Sequence, residues 1–115
     1  MAAVIDAATF EQLSGDMGAD FIGELIDTYC EETPRLISDL QQALAQGNAE
    51  LFRRSAHSIK SSSATFGALD FAALARELEM IGKAGTLAGS ESKTAHLVNE
   101  YGDVARALQE LKHAA

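Results

Sequence analysis

An all-α fold, an antiparallel up-and-down four-helix bundle with an additional short N-terminal helix, is predicted by three features of this 115-residue chain. Apolar residues recur at helical spacing in several segments. Ala and Leu are abundant, proline occurs once and aromatics make up 6%, a mixture that favours helices over a β sandwich. Short breaks rich in glycine and small polar residues separate the segments, as antiparallel neighbours require. No run reads as a strand. The length is that of one domain, taken as residues 1–115, with one modest core.

The elements follow in order. A short helix is expected from about Asp6 to Leu13, ended by Ser14-Gly15. FIGELIDTYCEE follows, with Phe21, Ile22, Leu25, Ile26 and Tyr29 at helical spacing. Thr33-Pro34 has the form of an N-cap and a proline in a first turn, so a fresh helix is predicted there, carrying Leu36, Ile37, Leu40 and Leu44. Gly47-Asn48 stops it. The next helix runs from about Ala49 to Phe66, followed by Gly67. Asp70 is placed to cap a helix bearing Phe71, Leu74, Leu78 and Ile81. Gly82 to Gly89 reads as a break, with Thr86 and Ser90 as candidate caps. The last helix carries Leu97, Tyr101, Val104, Leu108 and Leu111 in a heptad-like stripe. Four long helices are expected to build the core, with the short first helix packed across one end or side.

Composition narrows the function classes. The formal net charge of -8 argues against non-specific binding to nucleic acid or to an anionic membrane. Cys30 is the single cysteine, so no internal disulfide forms, which suits a reducing compartment. The opening MAAVIDAATFEQL has neither the basic nor the apolar region of a signal peptide, and no apolar run reaches the length of a membrane span. A cytoplasmic domain is the expectation. No His or Cys cluster has metal-site spacing, and no glycine-rich phosphate loop is present.

LFRRSAHSIKSSSATFGA, residues 51–68, carries the chemistry. With successive residues turned by about 100°, Phe52, Ile59 and Phe66 fall opposite His57, and Ser55 lies near them. Those large apolar groups mark the buried face. Arg53, Arg54, Lys60, Ser61 and Ala64 gather within about 60° of His57. The histidine therefore faces outward among cations and small side chains. A neutral imidazole on a rigid helix is a nucleophile at physiological pH. Lys60, one turn on, can reach the same spot and neutralise an arriving phosphoryl group. Ser61 and Ala64 leave room for a partner. The serine run 61–63 is poor for helix propensity, so compactness or hydroxyl chemistry is expected to explain it. An exposed histidine beside Lys and Arg is also an ordinary surface feature, so the wheel by itself leaves both readings standing.

AHSIKSSSATFGA followed by LARELEMIGKAG resembles the histidine-containing phosphotransfer (HPt) domain of multistep two-component phosphorelays. The family pattern of His, a hydrophobic residue, Lys, a small residue and a later Gly falls on His57, Ile59, Lys60, Ser61 and Gly67. A Leu-Glu pair and a basic residue match Leu78, Glu79 and Lys83. The resemblance covers roughly residues 5 to 111. It implies that His57 carries the phosphoryl group on Nε2, that Lys60 stabilises it, and that Glu79 accepts a hydrogen bond from Nδ1–H and orients the ring. Arg53, Arg54, Ser61, Ala64 and Lys83 are then candidates for partner contact, and Gly67 for close helix approach. Many family members have Gly directly after the Lys, where this chain has Ser61.

The implied partners are response-regulator receiver domains, with a hybrid sensor kinase as a further candidate; the chain is expected to be monomeric. No cofactor of its own is expected, since the receiver would supply the Mg²⁺. The chain is too short to carry an ATP-binding kinase domain beside the bundle, so it is not expected to be an enzyme. The alternative is a helical adaptor in which His57 is incidental. A di-iron-like bundle ranks last, because it needs Glu-x-x-His on more than one helix and the chain has a single one, Glu110 to His113. His96 and His113, on the last helix, are expected to be surface residues.

Overall fold

Burial on the fourth helix explains how the bundle closes. Ala68, Phe71, Ala75, Leu78 and Gly82 follow alternating spacings of three and four, and all five are buried. Small residues thus alternate with large ones along one seam, which lets this helix lie close against its neighbour. The computed structural model describes residues 4–114. Residues 1–3 and 115, which the single-domain expectation includes, lie outside them.

Five helices form, α1 Ala7–Met17, α2 Ala19–Gln46, α3 Ala49–Thr65, α4 Leu69–Ala84 and α5 Glu91–Ala114, with no strand among the described residues. The long helices pack in sequence order around a ring, α2 on α3, α3 on α4, α4 on α5, and α5 back on α2. Cross-helix pairs show the antiparallel sense. Asp27 meets Lys112 while Cys30, further along α2, meets Gln109, earlier on α5. The four-helix bundle with a short extra helix is therefore the observed fold.

The core is drawn from every helix. Ile22, Ile26 and Leu40 of α2, Phe52 and Ile59 of α3, Leu78 of α4 and Leu97 and Leu108 of α5 are at most 1% exposed. Truncating a buried phenylalanine such as Phe52 to alanine in a core of this density costs about 3–5 kcal/mol. Four aromatic rings join the helices at one level. Tyr29 of α2 lies 5.1 Å from Phe66 at the end of α3 and 6.2 Å from Tyr101 of α5, which is 6.1 Å from Phe71 of α4.

Several boundaries differ from the sequence expectation. α1 continues past Ser14-Gly15 to Met17, because Ser14 and Gly15 sit within its hydrogen-bonded turns, and it ends at Gly18. Its start is as read: Asp6 accepts from the Thr9 backbone N–H at 3.1 Å. The break at Thr33-Pro34 does not occur, and α2 runs through it for 28 residues. Thr33 is buried in the core while Pro34 faces solvent, so the carbonyl that proline leaves without a partner, that of Cys30, is tolerated on an outer face. Phe21 is exposed rather than part of the buried stripe. Asp70 is not the cap of α4 but lies in its first turn, where its charge suits the helix dipole. Gly82 belongs to α4 and is buried, so the break begins only at Gly85. Ser90 directly precedes α5, and its hydroxyl donates to the Leu87 carbonyl.

Gly67 sits in the α3–α4 turn at φ +90, a conformation that side chains rarely adopt. Its carbonyl accepts from the Asp6 N–H at 2.8 Å, and a Cβ there would stand 2.9 Å from the Asp6 carbonyl oxygen. What it permits is a left-handed turn against the lead-in to α1, rather than the approach of two long helices. Pro34→Ala restores a helical N–H on an exposed face and is expected to stabilise the fold by about 2 kcal/mol. Urea denaturation checks this; an unchanged midpoint would mean that the proline is accommodated without loss.

Candidate functional site

α3 presents His57 because its opposite face is fixed in the core. Phe52, Ala56 and Ile59 are fully buried and Phe66 nearly so, which turns the His57 side chain outward to 54% exposure. Glu79 reaches the ring from α4. It follows buried Leu78, so it stands at the edge of the α3–α4 seam, with its side chain 14% exposed.

The two carboxylate oxygens of Glu79 are used separately. Oε2 lies 2.7 Å from His57 Nδ1, and Oε1 accepts from Lys60 Nζ at 2.7 Å. The Lys60 hydrogen bond holds the Glu79 carboxyl below its ordinary range against the opposing effect of burial, and the His57 contact adds to it. An ionised carboxylate can only accept, so Nδ1 must be the nitrogen that carries hydrogen. In the neutral ring the free lone pair then belongs to Nε2, which makes no hydrogen bond among the described residues.

Of the other residues singled out in the sequence, Arg53, Arg54, Lys60, Ser61, Ala64 and Lys83 lie on the two helices that carry this pair. Lys60 sits one turn beyond His57, and its ammonium rests on Glu79, a contact the sequence did not announce. Arg53 donates to Glu50 on its own helix, and Arg54 lies 3.9 Å from the same carboxylate. Both arginines are thus partly engaged within α3. Ser61 is exposed and Ala64 half-buried. Lys83 is exposed in the last turn of α4 and forms no ion pair among the described residues. His96 and His113 are exposed on α5.

The serine run has separate local explanations. Ser63 is buried and shares a 2.7 Å hydrogen bond with the Tyr29 hydroxyl. Burial pushes the Tyr29 phenol up to about 12, so it remains a neutral hydroxyl in that bond. Ser62 and Thr65 donate to the carbonyls of Ser58 and Ser61 one turn back. Ser61 alone of the three serines faces solvent beside His57.

Sequence reasoning missed the contribution of α2. A groove of about 480 Å³ beside His57 is lined from α2 by Leu25, Thr28, Glu32 and Leu36, and from α3 by Ser58 and Ser61, among others. The signal was present, since those four α2 positions share one helical face. The presumed break at Thr33-Pro34 divided that face into two unrelated halves. A larger groove between α4 and α5, about 1130 Å³ and lined partly by Leu74, Met80 and His96, contains none of the candidate site residues.

A helical bundle that displays a histidine whose ring is held by a carboxylate from the next helix, the carboxylate in turn bound by a lysine one turn beyond that histidine, defines a class of histidine-displaying modules. The model of the Hpt domain family matches residues 24–114, and the chain belongs to that family of histidine-containing phosphotransfer domains. Its role is accordingly histidine phosphotransfer within a relay. The structure is similar to that of histidine-containing phosphotransfer protein B (HptB) from Pseudomonas aeruginosa PAO1, with a TM-score of 0.91 and 24% identity over 100% of this chain and 99% of that one. At that identity the likeness speaks for the shared fold. No curated protein matches the chain. No helix is long and apolar enough to cross a membrane, and no cluster of metal-ligating side chains stands together, among the described residues.

The Glu79 arrangement makes a pH prediction. A carboxyl depressed in the folded state stabilises it fully above the unfolded value, and that contribution is lost as pH falls through the folded value. Stability is therefore expected to decline on the acid side, below about pH 4.3. Glu79→Gln is expected to have a shallower acid limb in urea denaturation across pH. Parallel limbs for the two proteins would remove Glu79 from the acid response.

Proposed function

We propose that this chain is a phosphorelay intermediate in which His57 accepts a phosphoryl group from the phospho-aspartate of one receiver domain and yields it to another. The observation that carries the reading is the division of Glu79 between His57 Nδ1 and Lys60 Nζ. In the transfer, the Nε2 lone pair attacks phosphorus and an N–P bond forms. The P–O bond to the aspartyl carboxylate breaks, and the carboxylate leaves with the electron pair. The ring becomes cationic with its proton retained on Nδ1, and the adjacent Glu79 carboxylate offsets that charge. Reversal of these steps delivers the group to the next aspartate.

Lys60 has three N–H donors, and Glu79 occupies one of them. The remaining donors serve the incoming phosphoryl oxygens. Arg53, Arg54, Ser61, Ala64 and Lys83 form the rim that meets the receiver, and the groove between α2 and α3 continues that surface. The receiver contributes the acidic pocket and its Mg²⁺; this chain contributes the imidazole and needs no cofactor of its own. Transfer is then completed in a transient complex, and the chain acts as a monomeric carrier in the cytoplasm rather than as an enzyme that turns over a substrate.

The test is incubation with a receiver domain carrying radiolabelled phospho-aspartate. Label is expected on the wild type in an acid-labile, alkali-stable form, and none on a folded His57→Gln variant. Retained label in that variant would exclude His57 as acceptor, and partner binding indifferent to phosphorylation and to His57→Ala would favour an adaptor. Lys60→Ala is expected to slow transfer about tenfold or more, as loss of a charge-stabilising donor does. Unchanged transfer rate and phosphohistidine lifetime would take Lys60 out of the chemistry.

A further inference from the structure

Gly82 lies in the middle of the last full turn of a helix, where its own backbone asks nothing unusual. Its φ is not positive, unlike that of Gly67 or Gly85. In such a position alanine is the better helix former by about 1 kcal/mol. The reason for glycine lies across the seam. A Cβ on Gly82 would stand 2.8 Å from the Arg53 backbone nitrogen and 2.9 Å from both its Cα and its Cβ. These are mostly main-chain atoms of α3, which cannot swing aside as a flexible side chain could. Here α4 touches the backbone of α3 directly.

This contact stands next to the site. Glu79 is one turn before Gly82 on α4, about 4.5 Å along the axis. His57 is one turn after Arg53 on α3. Because the two helices are antiparallel, the Gly82–Arg53 contact and the Glu79–His57 hydrogen bond are successive rungs of one interface. Both Glu79 bonds are 2.7 Å long, so a displacement of α4 by a few tenths of an ångström is felt in them.

We infer that Gly82 is a positioning residue: by letting α4 rest on the Arg53 main chain, it sets the reach of the Glu79 carboxylate and so fixes hydrogen on Nδ1 of His57. This deepens the proposed phosphotransfer reading, on which only its kinetic consequence rests. The tautomer consequence follows from geometry alone. Glu79 already has the longest acidic side chain, so an outward shift of α4 has no longer reach in reserve.

The experiment uses the full ¹⁵N-labelled chain and reads the imidazole nitrogens of His57 by NMR at a pH where the ring is neutral. Exposed His96 and His113 serve as internal references. The wild type is expected to show hydrogen on Nδ1. Gly82→Ala, folded by circular dichroism, is expected to lose that preference and move toward the pattern of the two reference histidines. Gly102→Ala, a glycine on α5 with nothing within 4 Å of the added Cβ, is expected to keep the wild-type pattern. In the Gly82→Ala background, Glu79→Gln should add little further change, since the bond it removes is already broken.

Transfer from a phosphorylated receiver should fall about tenfold to a hundredfold in Gly82→Ala, the size of effect that a small misplacement produces. Wild-type nitrogen shifts in folded Gly82→Ala, or an undiminished effect of Glu79→Gln in that background, would overturn the inference. Should Gly82→Ala fail to fold, Ala75→Val wedges the same seam seven residues earlier, and wild-type shifts there would overturn it equally. Because the nitrogen readout needs no phosphate donor, altered shifts in Gly82→Ala with no labelling of the wild type would sustain the positioning role and defeat the phosphotransfer reading instead.

Discussion

Close contact between α3 and α4 is the constraint from which the site follows. A histidine on a helix surface ordinarily samples several rotamers and both tautomers. Here α4 lies near enough to bring a carboxylate to the ring from a second helix, and the seam of Ala68, Phe71, Ala75, Leu78 and Gly82 makes that nearness possible. The buried residues thus decide the chemistry of the exposed one. Ordering a side chain costs conformational entropy, and the cost falls mainly on the folding of the core rather than on each encounter with a partner.

Glu79 is an economical solution to an electrostatic problem. A carboxylate largely withdrawn from water is unfavourable unless it is paired and hydrogen-bonded. Lys60 meets that requirement through one oxygen and leaves the other for His57. The charge beside the imidazole is therefore stable before any phosphoryl group arrives. It is also in place to offset the cation that appears when Nε2 forms its bond. The same lysine balances the carboxylate in the resting protein and retains donors for an anion.

Much of this was legible in the sequence, for identifiable reasons. The helical period of Phe52, Ile59 and Phe66 placed His57 outward, because three large apolar side chains leave little choice of buried face. Glu79 required the family resemblance, since no periodicity within α4 says which neighbour its edge will meet. Thr33-Pro34 misled because the local pattern of a helix start is real, whereas burial of Thr33 in a long continuous stripe outweighs it. Gly82 misled in the opposite direction. Glycine usually signals a break, and only the position of the α3 backbone reveals that it marks a contact. The Lys60–Glu79 bond was hidden for the same reason, being a property of two helices and of neither alone.

The aromatic cluster has a practical meaning. The chain contains two tyrosines and no tryptophan. Both tyrosines lie in the group that joins α2, the end of α3, α4 and α5. Nearly all of its near-ultraviolet absorption and intrinsic emission therefore originates at the junction where the long helices meet. An optical signal from this protein is a local gauge of that joint, and it is blind to the fraying of helix ends elsewhere.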